Sequence, residues 1–363
     1  MAEDFSTLGL RLPPSASLLS VRSGRHWTAA GIAAETARRA MLLSASGLAR
    51  GDRVVVAEAD PAEVLLAIFA CWRAGLCVVA VNPALAPAEQ QTVIEATGAR
   101  AWLGELRVDL PAPASAGTTS PVPLGPDEPA LILMTSGTTG RPKGIAHSGR
   151  SLAARITLNI AAIGAGVLAE TLCVLPVFFG HGLIGNALTP LFAGGRVHLW
   201  PTPTLAELPG LGPYLDANAI SFMSSVPSFW KLATRVSPRP ATPLARIHVG
   251  SAPLSFGQWQ QIAAWGGTDK VFNMFGMTET ANWIGGAALA EADGRDGYIG
   301  PAWGGAFAVR TEAGAIAGSG RGEVLLRSPS MMLGYWRRPD LDADAFVDGW
   351  FRTGDTGELA ADG

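Results

Sequence analysis

Residues 135 to 144 read Thr-Ser-Gly-Thr-Thr-Gly-Arg-Pro-Lys-Gly and follow directly on the apolar segment Ala130-Leu131-Ile132-Leu133-Met134. No other stretch of the chain restricts its fold so closely. An apolar run that gives way to glycines and hydroxyls reads as a buried strand opening into a loop. Gly137, Gly140 and Gly144 allow positive φ and let N–H groups face an anion with no Cβ in the way. Thr135, Ser136, Thr138 and Thr139 add hydroxyl donors, and Lys143 adds a mobile cation suited to phosphate. Only Lys143, Lys231 and Lys270 are lysines; the other 24 basic residues are arginine, which makes a lysine at this point informative. The spacing is not GxxxxGK[ST], because Gly137 and Gly140 are too close and Gly144 follows the lysine. The segment predicts a polyphosphate-binding loop that is not a Walker loop; a plain surface loop is the other reading of the same composition.

A chain of 363 residues with 48% hydrophobic content can bury a large core and has room for two or three subdomains. Its net charge of -3 and pI near 6.0, with arginines scattered, give no electrostatic case for nucleic acid. A small phosphorylated ligand is the expected partner. Cys71, Cys77 and Cys173 lie in apolar surroundings without metal or redox spacing and read as buried thiols. The N-terminus has no signal-peptide pattern and the most apolar helix candidate, residues 62 to 74, is too short and charged to span a bilayer. A cytoplasmic protein without a membrane span is the expectation.

The pattern from Trp27 to Leu48 predicts a helix capped by Thr28 and ending near Gly47. Strand Val54-Val55-Val56, helix 62 to 74, strand Cys77 to Val81 and helix 87 to 97 follow. That alternation predicts βαβ units and a parallel sheet. Residues 111 to 129 read as a loop. Alternation resumes from Ser151 to about Gly286, with strands near Leu172 to Val177, Arg196 to Trp200, Ala219 to Met223 and Arg246 to Val249. Beyond Gly300, short strands at Phe307 to Thr311, Gly322 to Arg327 and Trp350 to Thr353 suggest a small β-barrel or sheet module. The fold class expected is α/β: two subdomains with mostly parallel sheets flanked by helices, one at about 52–170 and one combining about 1–51 with 171–299, plus a small β subdomain at about 300–363.

Three further constellations make chemical sense with the loop. Gly250-Ser251-Ala252-Pro253 ends a strand, where open α/β sheets bind ligands. Asn273-Met274-Phe275-Gly276-Met277-Thr278-Glu279-Thr280 offers an aromatic for a base, a hydroxyl, and a carboxylate able to hold Mg²⁺ on phosphate oxygens. Asp355, in Trp350-Phe351-Arg352-Thr353-Gly354-Asp355, could accept two hydrogen bonds from a ribose diol. Taken singly, Glu279 is also what a helix N-terminus carries, Asp355 what a turn carries and Phe275 what a core carries. His181 could equally be a satisfied loop histidine. His26, His147, His198 and His248 read as structural or surface residues.

From about residue 24 to 363 the chain resembles the N-terminal core of the adenylate-forming superfamily of acyl-CoA synthetases, luciferases and peptide-synthetase adenylation domains. Five segments occur in the family's order: TSGTTGRPKG at 135 to 144, FFGHG at 178 to 182, GSAP at 250 to 253, FGMTE at 275 to 279 and RTGD at 352 to 355. The resemblance implies that residues 135 to 144, with Lys143, bind the β- and γ-phosphates. It places Phe275 at the adenine, where tyrosine is commoner, Thr278 on the α-phosphate, Glu279 on Mg²⁺ and Asp355 on the ribose. Gly250 to Pro253 and Asn273 to Gly276 complete the nucleotide site, and His181 lies where acyl pocket and phosphates meet.

The same resemblance implies a substrate site from Phe179, His181, Gly182, Ser224, Ser225, Gly250, Phe275, Gly276, Met277 and Trp283. In the segments expected to line that pocket, Phe178 to Asn186, Ser224 to Trp230, Gly250 to Pro253 and Met274 to Ile284, Glu279 is the only formally charged residue apart from a possible His181, and no aspartate stands near FFGHG to pair with an amino acid's ammonium. Gly182, Gly185, Gly250, Ser251 and Ser224 are expected to leave volume, and Phe229, Met277 and Trp283 to form flat walls. A bulky, mostly apolar acid follows, aromatic, alicyclic or polycyclic, of the kind met in natural-product biosynthesis or aromatic catabolism. The implied reaction is ATP- and Mg²⁺-dependent formation of an acyl-adenylate and transfer to coenzyme A. A stand-alone ligase loading a carrier protein and an idle acyl-adenylate-binding module are the alternatives; the family's fatty acyl-AMP ligases carry an insertion for which this core leaves little room. Family members continue past RTGD into a C-terminal domain bearing a further lysine, whereas this sequence stops at Gly363, eight residues after Asp355. This core is therefore expected to bind nucleotide or adenylate while adenylation and thioester formation are impaired.

Overall fold

The computed structural model describes residues 11–104, 107–109, 122–135 and 142–363. Two large sheets carry it. The first has seven strands in the order Gly334–Tyr335, Lys143–Ser148, Pro129–Thr135, Cys77–Ala80, Arg53–Ala57, Ala101–Gly104 and Arg107–Asp109. Its four central strands run parallel, and Lys143–Ser148 pairs antiparallel with Pro129–Thr135. Val54, Val55, Val56, Val78 and Val79 are fully buried, as expected for parallel strands covered on both faces.

The second sheet has eight strands, in the order Trp283–Ala288, Val271–Gly276, Arg246–Gly250, Phe222–Ser225, Glu170–Cys173, Arg196–Leu199, Ser17–Ser20 and His26–Thr28. It is parallel except at its two edges. The chain thus enters this sheet near its start, leaves it for the first sheet, and returns at Glu170. One continuous core cluster runs from Val54, Val78 and Leu131 of the first sheet, through the helix Pro61–Arg73, to Leu18, Val197 and Cys173 of the second. That helix begins cleanly because Asp60 accepts from the Ala62 N–H and Pro61 occupies the first turn, where its missing N–H costs nothing. Eleven of its residues are buried, which fits its place between two layers.

Beyond residue 300 the strands Ile316–Ala317, Ala306–Arg310, Gly320–Arg327, Trp350–Leu359 and Phe346–Val347 form an antiparallel sheet in that order. Its edge strands do not pair with one another, so the module is an open half-barrel. Gly334–Tyr335 leaves it to pair with Lys143–Ser148, tying this region to the first sheet.

Local boundaries differ from the sequence reading where turn chemistry intervenes. The first helix is Ala29–Ala45 with Thr28 as its cap, and His26–Thr28 is an edge strand. The strand expected at Ala219 to Met223 is Phe222–Ser225, because Ala219 takes a left-handed turn with φ 49°. The strand expected to reach Val177 stops at Cys173. Most of the expected loop at 111 to 129 lies outside the described residues.

Candidate active site

Several chain segments meet around a cavity of about 850 Å³. Thr135 and Lys143 stand opposite each other at the loop end of their hairpin, and both line the cavity. Ser136, Gly137, Thr138, Thr139 and Gly140 lie outside the described residues. The Thr135 Oγ1 is buried without a hydrogen-bond partner among the described residues, a cost of about 1–3 kcal/mol unless a ligand or water relieves it.

Thr278 and Glu279 come from the turn Thr278–Thr280 between Val271–Gly276 and Trp283–Ala288. The Thr280 hydroxyl accepts from the Met277 N–H and bonds the Asn282 carbonyl, and Ala281 takes φ 68° to complete the reversal. The turn is pegged from below. His147, wholly buried, places Nε2 2.8 Å from the Thr278 carbonyl oxygen. Burial pushes its pKa down to about 4, so the neutral ring donates there while Nδ1 faces Ser151. His147 is a structural residue of the site, although its sequence context carried no such signal.

On one wall the Lys143 Nζ lies 3.1 Å from Glu279 Oε1, and the Tyr335 hydroxyl donates to the same oxygen at 2.9 Å. Lys143 also donates to that hydroxyl at 3.2 Å and sits 4.3 Å from the tyrosine ring centre. Sequence reasoning missed Tyr335: it is 192 positions from Lys143, and only the pairing of its two-residue strand with Ile145 and Ala146 brings it in. Arg338, Asp344 and Arg352 also border the cavity and were not foreseen.

The opposite wall is neutral. His181 opens the π-helix His181–Leu188, with Nδ1 2.8 Å from Ser251 Oγ and Nε2 2.7 Å from Ser224 Oγ. Enclosure pushes its pKa down to about 3, so one ring nitrogen donates and the other accepts. The edge of Trp283 meets the ring at 5.4 Å. Phe179, Gly182, Gly276, Met277 and Trp283 line the same cavity. Ser251 does so from a left-handed conformation with φ 66°.

Other expected site residues are placed elsewhere. Ser225 points away from Ser224 by strand alternation, and its buried hydroxyl has no partner among the described residues. Asn273 donates to the Tyr298 carbonyl, Met274 is buried beneath Gly250, and Phe275 packs against Phe307 at 6.1 Å; none borders the cavity. Ala252 and Pro253 are exposed beyond it. Asp355 is exposed on Trp350–Leu359, its N–H donating to Thr353 Oγ1, while Arg352 of the same strand reaches the cavity. Phe229 is partly buried against the core of the second sheet and does not border the cavity. The glycines do not leave open volume. A Cβ on Gly182 would stand 2.1 Å from the Pro176 carbonyl oxygen, and one on Gly185 would stand 2.3 Å from Asn282 Nδ2 and 2.8 Å from the Trp283 ring. Their smallness admits backbone and the Trp283 indole, so Trp283 takes up the space expected for substrate.

Among the described residues no three His, Cys, Asp or Glu side chains gather to hold a metal by themselves. None of their helices is long and apolar enough to cross a membrane.

The model of the AMP-binding enzyme family matches residues 11–336. The sulfoacetate–CoA ligase of Cupriavidus necator is 30% identical, the match covering 97% of this chain and 74% of that protein. The N-terminal domain of FACL13 from Mycobacterium tuberculosis, solved with an inhibitor bound, superposes with a TM-score of 0.86 at 24% identity, covering 100% of this chain and 97% of that one. ATP-bound MatB from Rhodopseudomonas palustris gives a TM-score of 0.82 at 26% identity, covering 100% of this chain and 77% of that one. The chain belongs to the AMP-binding enzyme family and is, in type, an acid–thiol ligase.

Proposed function

We propose that the cavity receives ATP and a bulky, mostly apolar carboxylic acid, joins them as an acyl-adenylate, and passes the acyl group to coenzyme A. The observation that carries this reading is the division of one cavity into a charged wall, Lys143 with Glu279, and a neutral wall, His181 with Trp283, the imidazole being held from behind by the buried Ser224. An acid must bring its carboxylate to the α-phosphorus of an anionic nucleotide. Two unit charges about 4 Å apart repel by roughly 4 kcal/mol at an effective dielectric near 20. Lys143 and the Thr135 hydroxyl meet the phosphates; the tail lies against the neutral wall.

The carboxylate oxygen attacks the α-phosphorus and the bond to pyrophosphate breaks, with no general base because the acid is already ionised at neutral pH. The thiol sulfur of coenzyme A then attacks the acyl carbon, losing its proton, and AMP leaves. One carboxylate combined with substrate phosphates is a common way to hold Mg²⁺, so Glu279 fits a Mg²⁺ that arrives with the nucleotide. Bound there, the ion neutralises phosphate charge. The protein's own part is positioning and fixed electrostatics.

The tail's character is read from Leu175, Pro176, Phe179, Val226 and Trp283, apolar cavity residues near His181. Arg338 and Arg352 join the cavity from the side of Lys143 and the half-barrel, and we assign them to the nucleotide end. A second carboxylate or sulfonate on the acid would then meet no cation at the neutral wall. ATP–pyrophosphate exchange with a panel of acids tests this: exchange with aromatic or alicyclic acids is expected, at the reduced rate anticipated for this core. Turnover of malonate or sulfoacetate with none of bulky acids would reject the apolar tail, and no exchange with any acid would reject adenylation by this chain.

A further inference from the structure

Glu279 Oε1, Lys143 Nζ and the Tyr335 hydroxyl form a closed triangle of contacts. Lys143 Nζ approaches at 3.1 Å, the Tyr335 hydroxyl donates at 2.9 Å, and Lys143 also donates to that hydroxyl at 3.2 Å. Glu279 and Tyr335 are both more than nine-tenths buried, and both border the cavity. A carboxylate out of water without a counter-charge is costly, and here the lysine supplies that charge. The lysine cannot serve the carboxylate and a polyphosphate with the same ammonium face at once.

Resting on the reading of Glu279 as the metal ligand, we propose that Lys143 is an internal counter-cation at Glu279 Oε1, which a divalent metal must displace, and that Tyr335 is the positioning residue that keeps the carboxylate aimed while the cations exchange. Phosphates draw Lys143 off the carboxylate as the metal takes its place, so metal and nucleotide bind as a pair and the metal alone binds poorly. The tyrosine serves both states. Its ring lies against the ammonium in one, and its hydroxyl holds Oε1 in both.

The test uses Mn²⁺ alone, with bound and free ion separated by electron paramagnetic resonance, on the full chain. Lys143→Met is expected to tighten Mn²⁺ binding by about tenfold or more, the scale of one charge pair at this separation in a partly exposed site. Adding Glu279→Gln to it should abolish the gain. Lys143→Gln, which keeps a polar head, replaces it if the methionine variant does not fold. Tyr335→Phe keeps the ring and should weaken Mn²⁺ binding several-fold in the presence of a non-hydrolysable ATP analogue, while binding of the analogue without metal stays unchanged; a merely structural tyrosine would move both or neither. Unchanged or weaker Mn²⁺ binding by the Lys143 variants overturns the exchange. If instead Glu279→Gln alone leaves Mn²⁺ affinity with the analogue unaltered, the metal assignment itself is wrong.

Discussion

The two walls of the cavity solve opposite problems. Lys143, Glu279 and Tyr335 assemble charge and hold it with hydrogen bonds to a single oxygen. His181, Ser224 and Ser251 assemble hydrogen bonds and keep charge out, because enclosure leaves the imidazole neutral. The first wall is built to interact with ions and the second to be indifferent to them. Nearly every functional consequence of the site should therefore sort to one wall or the other.

The sharpest way to break that division is Glu279→Gln. Pyrophosphate exchange should fall by about two to three orders of magnitude, the size of effect seen when one electrostatic contact to a developing charge is removed. Affinity for the free acid, measured by calorimetry, should hold. An equal loss in acid affinity would mean that the walls are not separate.

A second difference lies beneath the charged wall, where His147 pegs the Thr278 carbonyl. Its folded pKa, about 4, lies below the ordinary 6.5, so the unfolded chain binds the extra proton first. Stability is then fully present above pH 6.5 and is lost as pH falls from 6.5 towards 4. At about 1.4 kcal/mol per pKa unit, His147 alone accounts for roughly 3 kcal/mol across that window. Denaturant unfolding at pH 7 and pH 4.5 reads this. His147→Gln, which keeps a donor without titrating, should flatten the pH dependence relative to the parent; His248 also has a depressed pKa and stays constant in both. Identical losses in the two proteins would show that the peg does not titrate.

Asp355 tests whether the charged side extends onto the half-barrel. Asp355→Ala should weaken binding of a non-hydrolysable acyl-adenylate by about 1.5–3 kcal/mol, the scale of hydrogen bonds to a charged group. Asp355 is exposed and outside the cavity border, while Arg352 reaches it. Unchanged affinity would therefore hand the ribose end to other residues of that strand.

What the sequence revealed about these walls follows the range of the interactions. Val54 to Val56, Cys77 to Val81 and the helix between them are legible because strand burial and helix capping act within a few residues. Thr278 and Glu279 were legible as a pattern. His147 and Tyr335 were not, because each meets its partner across a long stretch of chain: His147 bonds a carbonyl 131 positions on, and Tyr335 arrives by antiparallel pairing of its strand with Lys143–Ser148. The small residues misled in one respect. A glycine in a sequence says that something comes close, and at Gly185 the visitor is the Trp283 indole rather than a substrate.

The smallest expected effect separates the two serines that share His181. The neutral imidazole has one donor and one acceptor, so each serine hydroxyl takes a different role. Ser224 is fully buried on Phe222–Ser225, so Ser224→Ala would strand a ring nitrogen that faces the protein interior. That costs about 1–3 kcal/mol, as unpaired buried polar groups do. Ser251 sits on the exposed side, where water can replace its hydroxyl, and its backbone holds the left-handed conformation at φ 66°. A glycine there recovers strain of about 1–2 kcal/mol. Ser251→Gly should thus leave stability unchanged or slightly raised while Ser224→Ala lowers it, both read by thermal unfolding without ligand. Equal losses would show that His181 is held symmetrically, and the neutral wall would then depend on both hydroxyls rather than on the buried one.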